Sequence, residues 1–70
     1  MDKELLLYYL KKTGGSRKDL AAAIGISPRT LDNKLTGRTE FVGSEIKAIA
    51  DFCRLTPAEL FSVFFGSVVE

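Results

Sequence analysis

Apolar residues recur along this chain at the three- and four-residue spacing of helices packed on one side, and polar residues, glycines and prolines punctuate them. Leu6, Tyr9 and Leu10 form the first stripe, broadened by Leu5 and Tyr8, and predict a helix from Asp2 or Lys3 to about Lys12. Thr13-Gly14-Gly15 ends it. Ser16 then caps a second helix, with Asp19 three residues on and Leu20, Ala21 and Ile24 as its apolar stripe; Gly25 stops it. Ser27-Pro28 opens a third, running from Pro28 to about Thr36 and closed by Gly37. A fourth spans about Gly43 to Cys53 on Ile46, Ile49, Ala50 and Cys53, with Phe41 stapling its entry. Thr56-Pro57-Ala58-Glu59 is a capping box for a fifth, Pro57 to about Phe65, stopped by Gly66. The pattern therefore predicts an all-α bundle of five helices forming one domain over residues 1–70.

The second and third helices are joined by about three residues, so they must cross steeply, as in a helix-turn-helix over about 16–36. Ala21 fits that crossing, because a larger side chain near the middle of the first helix would push the second away. At 100° per residue Leu31 and Leu35 point inward together. Arg29, Asn33 and Thr36 are left on the outer side.

Leu20, Ala21, Ile24, Gly25, Ile26, Leu31 and Gly37 resemble the helix-turn-helix of the lambdoid phage repressors and Cro proteins. The stretch FVGSEIKAIADFCRLTPAELFSVFF is similar to short Cro-like phage proteins, with an F-x-x-x-E-I start, a leucine-threonine cap and a closing F-F. The resemblance covers nearly the whole chain. It implies a lambda-repressor-like fold, a double-stranded DNA operator as partner, and transcriptional regulation by repression. It also places Arg38 and Thr39 where such proteins contact a phosphate. Two positions depart from the pattern. Lys34 stands where many members carry an apolar residue, so Leu35 is expected to take over that packing, and Val42 stands where a Ser or Thr cap is usual.

Composition narrows the field. Seventy residues bury only roughly 60% of their unfolded surface, a marginal amount that a second copy would supplement. No apolar run approaches the roughly 18 residues needed to span a bilayer and no leader pattern opens the chain, so a cytoplasmic location is expected. One cysteine, Cys53, and no histidine leave no internal disulfide and no soft metal cluster; Cys53 reads as a small buried hydrophobe, and no cofactor is expected. Lacking a histidine base, a ligand cluster or a glycine-rich phosphate loop, the chain is expected not to be an enzyme.

Net charge is only +1, but it is unevenly spread. From Lys11 to Arg38 seven basic residues face two acidic ones, a local balance of +5, whereas from Thr39 to Glu70 two basic residues face five acidic ones, or −3. One part of the chain suits an anion and the other does not.

These features nominate residues. Arg29 and Asn33, one turn apart, are the types that pair bidentately with guanine and adenine, and Ser27 and Pro28 at the helix start would lie near the groove floor. Asp32 is expected to pair with Arg29 or to face solvent. Ser16, Arg17 and Lys18, where the second helix opens, are candidates to grip a phosphate, joined by Lys34, Arg38 and Thr39 beyond the third. Phe61, Phe64, Phe65, Val68 and Val69 exceed what a small core absorbs and read as a homodimer face. No membrane and no small-molecule effector are implied. The rival reading is a protein-interaction module, antitoxin-like or antirepressor, that keeps the fold but binds protein through the phenylalanine-rich end.

Overall fold

The computed structural model describes residues 1–66. It contains five helices, α1 (Lys3–Thr13), α2 (Arg17–Ile24), α3 (Pro28–Leu35), α4 (Gly43–Cys53) and α5 (Pro57–Phe65), and no strand among the described residues. Each start has a local cause. The side chains of Asp2, Ser16, Ser27 and Thr56 accept from the N–H groups of Leu5, Asp19, Thr30 and Glu59. In α2 and α5 the third residue bonds back to the cap, completing the boxes expected at Ser16 and Thr56.

Each helix contributes one of the largest fully buried side chains: Leu6, Leu20, Leu31, Ile49 and Val63. They meet in a single cluster with Leu10, Ala21, Leu35, Cys53 and Phe64. Helix α2 is central, packed against both α3 and α4, while α1 joins α4 and α5. The Asp2 N–H donates to the Val63 carbonyl at 2.7 Å and ties the chain start to α5. Cys53 is buried as expected, and burial pushes its thiol up, the Thr13 hydroxyl opposing.

Two expectations need correction. Tyr8 does not broaden the α1 stripe but stands 56% exposed, edge-on to Tyr9 at 5.5 Å and beneath the Lys12 ammonium at 5.6 Å. Phe64 is not part of an outer face: it turns into the core and meets Phe41 edge-on at 5.8 Å. Only Phe61 and Phe65, each 50% exposed and 5.7 Å apart, remain outside. As expected, α5 ends at Phe65 with Gly66 as its C-cap, in a right-handed conformation at φ −60°. Val68 and Val69 lie outside the described residues.

At α4 the missing hydroxyl cap is replaced from within the helix. Val42 has no side-chain acceptor, and its N–H donates to Glu45 Oε1 at 2.9 Å. The same oxygen takes the Lys34 ammonium at 3.0 Å. The Val42 N–H first, and then Lys34, hold the Glu45 carboxyl below its ordinary value against the opposing effect of burial. A carboxylate whose value is depressed by folding stabilises above its unfolded value, and that stability is lost as pH falls through the folded one. Glu45→Gln is therefore expected to lower the unfolding midpoint at pH 7 yet to shrink its fall on acidification to about pH 3. Thermal melts of both proteins at the two pH values check this; equal falls would remove Glu45 from the acid response.

Candidate nucleic-acid interface

The α2–α3 unit is built from small local bonds. Ser16 Oγ accepts from the Asp19 N–H at 3.1 Å, while the Ser16 N–H and hydroxyl both donate to Asp19 Oδ2 at 3.0 Å. Those donors, helped by the Lys18 charge, hold the Asp19 carboxyl below its ordinary value. At the far end the Ala21 carbonyl accepts from both Gly25 at 2.9 Å and Ile26 at 3.0 Å. Gly25 has φ +90°, a left-handed backbone that side chains with a Cβ rarely adopt. Ser27 Oγ then accepts from the Thr30 N–H at 3.1 Å and donates to Thr30 Oγ1 at 2.9 Å, and Pro28 begins α3.

Leu31 and Leu35 are buried at 0% and 5% exposure, so Leu35 does take the inward position beside Lys34. The opposite side of α3 carries exposed Arg29 and Asp32 and half-buried Asn33, with exposed Thr36 at its end. Among the described residues neither the Arg29 guanidinium nor the Asn33 amide has a hydrogen-bond or ion-pair partner within the chain. The Asn33 carbonyl, by contrast, accepts from the Arg38 N–H at 2.9 Å, the Thr39 N–H at 3.4 Å and the Thr36 hydroxyl at 3.1 Å. The loop carrying Arg38 and Thr39 is thus bonded to the backbone of a nominated base reader. Both loop side chains are exposed, as are Lys18 and Pro28.

Four nominated positions are placed differently from the sequence expectation. The hydroxyls of Ser16 and Ser27 are both occupied inside their own caps. Arg17 is engaged by Asp32, Nη1 to Oδ1 at 3.4 Å, and Asp32 faces solvent, one of its two expected placements, without pairing with Arg29. With these side chains 53% and 57% exposed, that pair is weak and exchangeable. Lys34 departs furthest. Its side chain is 11% exposed, and its ammonium bonds Glu45 at 3.0 Å and the Glu40 carbonyl at 3.0 Å, 5.8 Å from the Phe41 ring. It points at α4 and the loop before it, not outward toward an anion. Sequence reasoning missed this role because Lys34 and Glu45 are far apart along the chain and carry no shared local signal.

A family model described as "Bacterial regulatory protein, Fis family" matches residues 1–36, the stretch holding α1, α2 and α3. The chain belongs to the Fis family of bacterial regulatory proteins. No curated protein and no solved structure matches the chain. Fis-family membership supports a helix-turn-helix DNA-binding regulator and not the Cro/C-type phage family that the sequence resembles. It points away from an enzyme. Helices α4 and α5 lie beyond the matched residues. Among the described residues no helix is long and apolar enough to cross a membrane.

Proposed function

We propose that this Fis-family regulator binds DNA sequence-specifically by laying the outer side of α3 in the major groove, as a homodimer on a near-palindromic operator. The observation that carries the reading is the unpartnered Arg29 guanidinium and Asn33 amide, one helical turn apart on a face whose reverse is locked into the core. Side chains of these types pair bidentately with guanine and adenine, and discrimination of about 1–3 kcal/mol per pair is typical. Pro28 beside them offers its ring to a thymine methyl. Lys18 and Arg38 supply phosphate contacts, Thr39 adds one beside Arg38, and Arg17 joins when it exchanges Asp32 for a phosphate. Lys34 is not among them.

The exposed Phe61–Phe65 pair is an apolar face left open among the described residues, and a second copy would cover it. A two-fold dimer would set its recognition helices about 34 Å apart, one turn of DNA. Repression is the mode suggested by the likeness of α4 and α5 to short Cro-like phage proteins.

On a site selected from random DNA, Arg29→Ala is expected to cost roughly 1–3 kcal/mol and to relax preference at one base pair, while Lys18→Ala or Arg38→Ala weakens all sequences alike and flattens the salt slope by about 1. Fluorescence anisotropy across a salt series reads both. If none of the three changes altered binding, α3 would not be the reading element. Sedimentation at micromolar concentration checks the assembly: wild type is expected to dimerise on DNA and a Phe61→Ser, Phe65→Ser double variant to remain monomeric. A wild type that stays monomeric with and without DNA contradicts the dimer.

A further inference from the structure

Among the described residues, the pair between Lys34 and Glu45 is the one ion pair withdrawn from solvent, with side chains 11% and 15% exposed, whereas Arg17–Asp32 and Lys47–Asp51 lie in the open. Withdrawing an ammonium from water is costly unless its donors are satisfied. Here two of the three are taken, by two different parts of the chain. One donor goes to the Glu45 carboxylate at the start of α4, another to the Glu40 carbonyl in the loop, with the Phe41 ring close by. An apolar residue at this position would pack against Phe41 and leave the Glu40 carbonyl unheld.

The loop is therefore pinned from α3 at three consecutive residues. The Asn33 carbonyl takes the N–H groups of Arg38 and Thr39, and Lys34 takes the carbonyl of Glu40, the next residue. We propose that Lys34 is a positioning residue: by joining Glu40 to Glu45 it holds the backbone-contacting loop at a fixed offset from Arg29 and Asn33, and so sets sequence discrimination without touching DNA. The proposal rests on the DNA-binding reading above. A loop free to shift would let phosphate contacts form in several registers, so that α3 reads base edges less selectively. The charge of Lys34 is already matched by Glu45, so removing it leaves the number of neutralised phosphates unchanged.

The test compares wild type with Lys34→Met, Lys34→Arg and Glu45→Gln. In the free protein, amide hydrogen exchange at Arg38 is expected to quicken about tenfold in Lys34→Met, with Leu20 and Leu31 unchanged, as loss of a coupled contact of ordinary strength implies. On DNA, the ratio of affinities for a selected and a scrambled duplex is expected to fall about tenfold, with scrambled-duplex affinity and salt slope unaltered. Glu45→Gln should share the loss, Lys34→Arg should recover most of it, and combining Lys34→Met with Glu45→Gln should add little. A salt slope flattened by about 0.9 in Lys34→Met would make Lys34 a phosphate ligand and overturn the proposal. So would an unchanged discrimination ratio in a variant that folds. A wild type that discriminates no duplex overturns the DNA-binding reading as well, and the exchange rates in the free protein then report separately whether the pin exists.

Discussion

Everything that presents α3 depends on how closely it crosses α2. Ala21, 1% exposed, lies in the core on α2, and its carbonyl takes two N–H groups from the turn that follows. A larger side chain at so buried a position would overpack the core, at a cost of about 1–3 kcal/mol. Gly25 lets the backbone reverse directly after Ile24, the last residue of α2. With the crossing set, Leu31 and Leu35 go inward, Arg29 and Asp32 face out with half-buried Asn33 beside them, and Lys34 turns toward α4.

The rest of the chain supports this unit from behind. One fully buried side chain from each helix fills the centre, and α2 touches α3 on one flank and α4 on the other. Helix α4 does more than cover apolar surface. Glu45 at its start stands in for an absent cap and holds Lys34 of α3 with the same oxygen, so the entry of α4 and the end of α3 are fastened at one atom. The Phe41–Phe64 contact links the same corner to α5.

Much of this was legible in the sequence where the cause is local. Ser16, Ser27 and Thr56 announce helix starts because a hydroxyl reaches an N–H three residues on whatever the tertiary structure, and the glycine after Ile24 marks a reversal for the same reason. The outward direction of Arg29, with half-buried Asn33 on the same side, follows from helix geometry once Leu31 and Leu35 face inward. What depends on partners distant along the chain was not legible. In α5 the apolar residues are too numerous for periodicity to choose an inner side, and Val63, which the stripe reading passed over, is fully buried and sets a rotation that takes Phe64 in and leaves Phe61 and Phe65 out. Lys34 looked like a surface cation because nothing near it in sequence announces Glu45, and Asp32 found Arg17 across the turn rather than its neighbour on α3. The family resemblance pointed to phage repressors, whereas the matched family is Fis, both resting on the helix-turn-helix.

The central claim is that the outer side of α3 is the surface that meets a duplex. The most direct measurement is a nuclear magnetic resonance titration of the labelled protein with a selected operator duplex at physiological salt, following backbone amides together with arginine and asparagine side-chain signals. The Arg29 and Asn33 side chains are expected to shift most, Lys18 and Arg38 next, and the buried Lys34–Glu45 corner little. Shifts that left Arg29 and Asn33 unmoved would contradict it.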